Sequence, residues 1–337
     1  MNIKKFTVAV LICVVLAVTL IGCAPAAAPT TAATEAPASA KAHKVAMVTS
    51  GPTNDHGWHQ NALEGVTAIS KKYGWEMAYS ESVSAAQQAN VLRQYAQQGY
   101  DLIFCHGYEW GDPIKAVAPD FPNTTFVQIN STTEGENVVG TNFRFGELGY
   151  FTGMAAGLMT KNNKIGIVAA QEAPQVTADT DTLKEGALAV NPNADVSVSF
   201  VGSWDDVVKG QQVSQAQIDR GVDVLIIIGD AFAPPAIKLA QEKGILAIGG
   251  WSGDAHDLAP DTVITSGVQD VPGVYMSIAD QFAAGTLKGN TTFLSGFAEN
   301  TQHLGVWGDF VPQDVKDKVN GAVKDYLDGK LEVKVIE

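Results

Sequence analysis

The chain has 337 residues, of which 46% are hydrophobic and 17% are charged, with 22 Lys and Arg residues against 36 Asp and Glu residues. This length predicts two lobes rather than one domain, and the composition is that of a folded globular protein, which excludes a disordered chain. The formal charge of −14 and the pI near 4.8 argue against a nucleic-acid binder, and the mean hydropathy of +0.04 excludes a polytopic membrane protein.

The N-terminus has the features of a secretory signal. Lys4 and Lys5 precede an apolar run over 6–21, and Cys23 follows that run. Residues 20–23 look like a bacterial lipobox, so 1–22 are interpreted as a lipoprotein signal peptide and Cys23 as the lipid attachment site. An uncleaved transmembrane helix is the alternative, although the run falls short of the roughly 20 residues that span a bilayer. A protein anchored by lipid on the extracytoplasmic face of a bacterial cell membrane is expected.

Residues 23–43 are rich in Ala, Pro and Thr and are expected to form a flexible tether. Cys13 leaves with the signal and Cys23 is acylated, so Cys105 alone remains and no disulfide is expected within the mature chain. Because Cys105 follows the apolar residues 102–104, it is predicted to end a buried strand as a small hydrophobic residue. A catalytic thiol is the less favoured alternative.

From Lys44 onward, short apolar runs alternate with stretches of helical periodicity. This alternation is typical of parallel sheets covered on both faces, an α/β class. The first set has predicted strands over 45–48, 76–80, 102–105 and 125–129, with helices over 58–72, 85–98 and 112–118. The pattern then restarts, with helices over 148–161, 177–190, 207–220 and 235–243, and strands over 164–170, 196–201, 224–228 and 246–248.

Polar and aromatic residues follow several of these strands, at the carboxyl edge where open parallel sheets bind ligands. Four of the six tryptophans are among them, and an indole at such an edge is suited to stack on a flat ring. A single tryptophan there would most often pack between layers, but four together favour a binding cleft. These residues are Trp58, Trp110, Trp204 and Trp251, with Asp55, Asp112 and Asp230 as nearby hydrogen-bond acceptors.

The acids also have purely structural interpretations. Asp55 can serve only as an N-cap of the following helix, and Asp112, directly before Pro113, is more typical of a helix start than of a ligand contact.

At these loops the sequence resembles the BMP (basic membrane protein) family, the substrate-binding lipoproteins of ABC importers that include purine nucleoside receptors. The likeness covers about 44–333, and the segments that carry it are 54–65, 99–122, 142–157 and 202–210, with an altered segment over 248–271. It implies a type I periplasmic-binding-protein fold with two Rossmann-like lobes and a multi-strand hinge. The lobes are expected at 44–141 plus about 266–304, and at 142–265 plus about 305–337.

The resemblance also implies roles for individual residues. The family's base-stacking aromatic falls at Trp58, its preceding Asn-Asp pair at Asn54 and Asp55, and its opposing aromatic at Trp204. Trp251 and Gln269 stand where a ribose-binding acid and a lysine are expected, which favours a bare purine base over a nucleoside. The complete set of expected ligand-binding residues is Asn54, Asp55, Trp58, Tyr108, Trp110, Trp204, Asp230, Trp251 and Gln269.

The resulting hypothesis is a noncatalytic, monomeric receptor that closes on its ligand and docks on an ABC permease with a separate ATPase, since the chain has no phosphate-binding loop motif. No cofactor, no metal and no nucleic-acid partner are expected. Three alternatives remain: a binding protein for a sugar or another small planar solute, a sensor subunit, and a secreted nucleoside-processing enzyme. The enzyme would need an acid/base pair or a metal site, for which His56 and His59 are only a weak signal.

Overall fold

The computed structural model describes residues 43–336. The predicted signal peptide, Cys23 and almost all of the predicted tether lie outside the described residues. Within 43–336, every helix is too short or too polar to cross a bilayer.

Residues 43–336 form twelve β-strands and nine α-helices, which largely alternate along the chain. The strands are β1 (Lys44–Thr49), β2 (Glu76–Ser80), β3 (Leu102–His106), β4 (Thr125–Ile129), β5 (Val138–Phe143), β6 (Lys164–Ala169), β7 (Asp195–Phe200), β8 (Val224–Ile228), β9 (Leu246–Trp251), β10 (Val263–Gln269), β11 (Thr291–Ser295) and β12 (Gln302–Leu304). The helices are α1 (Trp58–Tyr73), α2 (Gln88–Gln97), α3 (Gly111–Val117), α4 (Glu147–Met159), α5 (Pro174–Val190), α6 (Val207–Asp219), α7 (Ala233–Glu242), α8 (Val271–Ala283) and α9 (Gln313–Leu327).

The strands form two six-stranded sheets. The first has the order β11-β5-β4-β3-β1-β2 and is parallel throughout. The second has the order β12-β10-β9-β8-β6-β7 and is parallel except for β12, which pairs antiparallel with β10. The parallel α/β class predicted from the alternating runs is thereby confirmed.

Each sheet is buried on both faces, which explains why its central strands are continuous apolar runs. In β3, Phe104 faces a cluster formed with α1 and α8, while Ile103 and Cys105 face a second cluster formed with α2 and α3. Cys105 is fully buried, and burial raises the pKa of its thiol well above the ordinary value. It is the small hydrophobic residue of a buried strand that the sequence predicts.

The chain crosses between the sheets three times: after β5, after β10, and between β11 and β12. We call the first sheet with its helices the first lobe, and the second sheet with its helices the second lobe. In the strand pairing, all of β10 and β12 belong to the second sheet and β11 to the first. The lobe boundaries expected near 142, 266 and 305 stay a prediction, since strand pairing does not show which residues move together when the lobes open or close.

Candidate functional site

A cavity of about 400 Å³ lies at the carboxyl ends of both sheets. Its volume falls in the range of roughly 300–1,000 Å³ that is usual for small-ligand pockets. Residues after β1, β3 and β4 line it from the first lobe, and residues after β6, β7, β8 and β9 line it from the second. Gln269, the last residue of β10, lines it where the chain crosses between the lobes. The cavity is therefore at the edge where the order of strands predicts a ligand.

Trp58 lines this cavity as the first residue of α1. The helix begins there because the Asp55 carboxylate accepts hydrogen bonds from the backbone amides of Gly57, His59 and Gln60, at 2.9–3.0 Å. Asp55 thus bonds to amides at the start of α1, although Gly57 and not Asp55 holds the N-cap position, and it also lines the cavity.

A buried histidine, His106, packs against the Trp58 indole. The Trp58 ring centroid is 4.2 Å from that of His106, with the planes inclined by 32°. His106 Nε2 lies 2.9 Å from the Trp58 carbonyl oxygen and therefore donates to it, and its Nδ1 lies 3.1 Å from the Tyr275 hydroxyl. Burial lowers the pKa of His106 well below its ordinary value, so the ring is neutral near pH 7. The position of Trp58 is consequently fixed through both its backbone and its ring.

Trp204 lines the cavity from the second lobe. It lies in the loop between β7 and α6, where the Asp206 carboxylate accepts from the Lys209 amide at 2.9 Å and caps α6. The Trp204 ring packs against the apolar clusters on both faces of the second sheet, and its carbonyl accepts from the Asp230 amide at 3.2 Å. Two indoles from opposite lobes therefore line one cavity.

Asp230 lies where the two lobes touch. Its carboxylate accepts from the Ser252 hydroxyl at 2.6 Å, and a Cβ on Gly57 of the first lobe would lie 2.4 Å from its Oδ1. Asn61 of α1 also donates to the Ser252 carbonyl at 2.5 Å. These contacts cross the cleft, so the lobes are closed upon each other at this edge.

Burial raises the pKa of Asp230 to about 7. The Ser252 hydroxyl and the Trp58 amide lower that pKa, and the charges of Asp55 and Asp205 raise it further. Near neutral pH this carboxyl is therefore close to half protonated.

Trp251 and Asp179 form a second buried pair in the wall of the cavity. Trp251 Nε1 donates to Asp179 Oδ2 at 2.7 Å, and Asp179 Oδ1 accepts from the Gly146 amide at 2.7 Å. Burial raises the pKa of Asp179 to about 7. Because the indole N–H is already bonded, Trp251 offers the ligand an apolar surface and no hydrogen bond.

Seven of the nine residues expected to bind the ligand line this cavity. Of these, Tyr108 is 72% exposed and lies at the rim. Asn54 is exposed and does not line the cavity, and Trp110 is fully buried in the core against α2 and α3. The interpretation of Trp110 as a rim residue is corrected, because the short 3₁₀ turn Tyr108–Trp110 points Tyr108 outward and Trp110 inward. The seven are Asp55, Trp58, Tyr108, Trp204, Asp230, Trp251 and Gln269.

The sequence interpretation missed several polar residues of the cavity. Asn130 directly follows β4, and Gln171 and Gln175 lie between β6 and the first turn of α5. Their position after strands of the predicted sheets was the available signal, but uncharged, non-aromatic side chains do not by themselves mark a ligand site in a sequence.

The cavity is electrostatically negative. Carboxyl groups line it, whereas no Lys or Arg does among residues 43–336. The one basic group is His59, whose pKa is lowered chiefly by burial, against the raising effect of Asp55, Glu109 and Asp205. An anionic ligand would therefore be repelled. The carboxyl groups belong to Asp55, Glu109, Asp179, Asp205 and Asp230.

A metal site is not formed by this arrangement: in the described part of the chain, no three His, Cys, Asp or Glu side chains are grouped to hold an ion.

The chain is similar in sequence to several bacterial proteins. It is 30% identical over 292 residues to the transcriptional activator protein med of Bacillus subtilis, which covers 86% of this chain and 90% of the relative. It is 32% identical over 278 residues to a purine-binding protein of Brucella abortus (81% and 77% covered). It is 29% identical over 315 residues to the ABC transporter nucleoside-binding protein BmpA of Lactococcus lactis (86% and 88% covered).

Solved structures give the same fold. A transcriptional activator of the comK gene from Bacillus halodurans superposes with a TM-score of 0.77 at 28% identity, covering 84% of this chain and 97% of that one. An ABC transporter solute-binding protein from Conexibacter woesei superposes with a TM-score of 0.73 at 28% identity, covering 87% and 99%. The predicted type I periplasmic-binding-protein fold is confirmed.

A family model described as ABC transporter substrate-binding protein, PnrA-like, matches residues 42–336. Members of this family are extracytoplasmic binding components of importers rather than enzymes, and they work with a permease and an ATPase. The match spans both lobes and the cavity between them, so the resemblance seen in the loops is confirmed. This chain belongs to the Bmp family of PnrA-like ABC transporter substrate-binding proteins.

Proposed function

We propose that this protein binds a purine-type nucleobase or nucleoside in the cavity between its lobes and presents it to an ABC permease. The observation that carries the proposal is that Trp58 of the first lobe and Trp204 of the second line the same cavity. Each indole can stack on one face of a flat heterocycle, which contributes roughly 1–3 kcal/mol per stacked base. Lobe closure then buries the ligand between them.

Relatives with purine-binding and nucleoside-binding names support this ligand class. The chemistry of the cavity wall favours the bare base over the nucleoside. Trp251 is bonded to Asp179, and Gln269 is uncharged, so neither supplies a free charged group for ribose hydroxyls. The negative cavity also disfavours phosphorylated nucleotides.

The protein would act on the outer side of the cell membrane. The signal at residues 1–22 and the lipobox cysteine Cys23 support lipid anchoring, and the tether after them would let a monomeric binding unit reach the permease.

The test is isothermal titration calorimetry of the full-length protein in mild detergent against adenine, hypoxanthine, adenosine, adenosine monophosphate and glucose. We expect binding of the bases, weaker binding of adenosine and none of the monophosphate. Binding of glucose alone would refute the purine proposal and support a sugar receptor. Conversion of adenosine during incubation would refute a noncatalytic role.

A second candidate function is ligand sensing, because a relative and a superposed structure carry transcriptional-activator names. The acidic charge of this chain argues against direct DNA binding, so a sensor would present its closed form to another protein. Deletion of the gene separates the two roles: a transporter component is required for uptake of radiolabelled base, whereas a pure sensor is not.

A further inference from the structure

Four carboxamide side chains line the cavity without a partner in the described residues: Gln171, which is exposed, and the less exposed Asn130, Gln175 and Gln269. Asn130, Gln175 and Gln269 make no side-chain hydrogen bond within residues 43–336. Gln269 is only 7% exposed, and its carboxamide, which borders the cavity, has no protein partner. Buried polar groups are normally hydrogen-bonded, and leaving one unpaired is costly.

Two other interior carboxamides donate to backbone carbonyls, although Gln128 Oε1 is buried without a partner. Gln128 donates to the carbonyls of Gly107 and Tyr108 at 3.2 and 2.8 Å, and Gln302 donates to those of Arg144 and Ser295 at 3.1 and 3.0 Å. The cavity differs in that several carboxamides without a protein partner surround one open space.

The three less exposed carboxamides come from three different parts of the molecule. Asn130 follows β4 in the first lobe and has a left-handed backbone, with φ of 63°. Gln175 is the second residue of α5 in the second lobe, where Pro174 starts the helix. Gln269 ends β10 at the crossing between the lobes. A ligand that bonds to all three is held by both lobes and by the crossing strand.

We propose that Asn130, Gln175 and Gln269 recognise the edge of a neutral heterocycle at which an exocyclic donor or acceptor lies beside a ring nitrogen. This inference rests on the proposed purine function and names the residues that hydrogen-bond to the ring. A carboxamide carries one acceptor oxygen and an NH₂ donor, so it can pair in a bidentate way with such an edge, as Asn and Gln do with adenine. By turning over, the same carboxamide matches the lactam edge of hypoxanthine.

The carboxylates are less able to do this work. Asp55 is engaged by three backbone amides, and Asp179 by Trp251 and Gly146. An ionised carboxylate is also an acceptor only, so it cannot pair with a donor–acceptor edge. Protonated Asp230 can also donate and accept, but Ser252 already bonds to its Oδ1, so the carboxamides are the groups that offer a donor and an acceptor at every pH.

The experiment replaces each carboxamide with an apolar side chain of similar size: Gln269→Met, Gln175→Met and Asn130→Leu. Asn320→Leu is the matched control, because Asn320 is exposed on α9 and outside the cavity. Calorimetry on the full-length protein in detergent measures the binding of adenine, hypoxanthine and unsubstituted purine. Unsubstituted purine can stack but has no exocyclic donor or acceptor. We expect each cavity variant to bind adenine and hypoxanthine about tenfold more weakly. Purine binding should change by less than about threefold.

The melting temperature of the ligand-free protein separates recognition from a structural role. Since the three side chains have no protein partner, their replacement should leave that temperature unchanged or raised. The isosteric variant Gln269→Glu keeps the shape of the side chain but removes its NH₂ donor. Its affinity for adenine therefore tests that donor at the most buried of the three positions.

Two results would overturn the proposal while leaving the proposed function intact: base affinity unchanged within about threefold in all three variants, or equal weakening for purine and adenine. Absence of base binding by the unmodified protein would overturn the proposed function itself, and this assignment with it.

Discussion

Replacing Asp230 with asparagine tests whether closing the lobes takes up a proton. In the closed contact the carboxyl lies against Gly57 and Ser252, and burial raises its pKa to about 7. With the lobes apart it faces water, where an aspartate has a pKa of about 3.9. The closed form therefore holds a proton that the open form has released, at any pH between these two values.

The magnitude follows from this difference. At pH 6 a group with a pKa of about 7 is roughly nine-tenths protonated, so closure on a ligand should take up about 0.9 proton. Because the pKa is raised in the closed form, closure is favoured as the pH falls below 7 and loses this support as the pH rises through 7. Ligand affinity should consequently be up to roughly thirtyfold weaker at pH 8 than at pH 5.5, a difference of about 2 kcal/mol.

Calorimetry in buffers of different ionisation enthalpy measures the proton uptake directly. We expect uptake in the unmodified protein at pH 6 and almost none in Asp230→Asn, whose affinity should depend little on pH. Asp179→Asn is the matched control, because Asp179 has a similar pKa but bonds to Trp251 and Gly146 rather than across the cleft contact. Equal uptake by the unmodified protein and Asp230→Asn would refute the reasoning.

Two further substitutions test the stacking site and the closed contact. Trp204→Ala should weaken base binding by about tenfold or more, because the stacking contact is lost. Its control, Trp110→Phe, should lower the melting temperature and leave base affinity unchanged. An unaltered affinity of Trp204→Ala in calorimetry would contradict the stacking role. Gly57→Ala should weaken base binding by about tenfold, because the added Cβ would meet Asp230 only when the lobes close. Its control, Gly321→Ala, should bind normally, because a Cβ there meets nothing within 4 Å. Equal affinities of the two variants in calorimetry would show that the contact at Gly57 is not tight.

Much of the fold follows from local sequence patterns. The apolar run at 224–228 predicts the buried strand β8, which has these bounds in the structure, and the alternation of such runs with helical stretches predicts parallel sheets. The sheet order then places the loops that contain Trp58 and Trp204 at one edge. These features depend on hydrophobic periodicity and topology, which are legible in a single sequence.

Other features depend on contacts that no local pattern encodes. Tyr108 and Trp110 lie two residues apart in a 3₁₀ turn, yet one is exposed and the other fully buried. The meeting of Gly57 with Asp230 joins residues far apart in sequence and arises only from the closed arrangement. Gln175 precedes the helix predicted over 177–190, and only the tertiary arrangement places it in the wall of the cavity.

The three chain crossings have a consequence for biogenesis. The apolar core of the first lobe includes Tyr275, whose ring stacks on Phe104 with centroids 4.0 Å apart and lies against Gly65 of α1. A nascent chain that has emerged only as far as β5 therefore lacks part of the interior it must enclose. We expect the first lobe to complete its folding only after α8 and β11 have been synthesised, so it stays incompletely folded until the growing chain extends past Ser295.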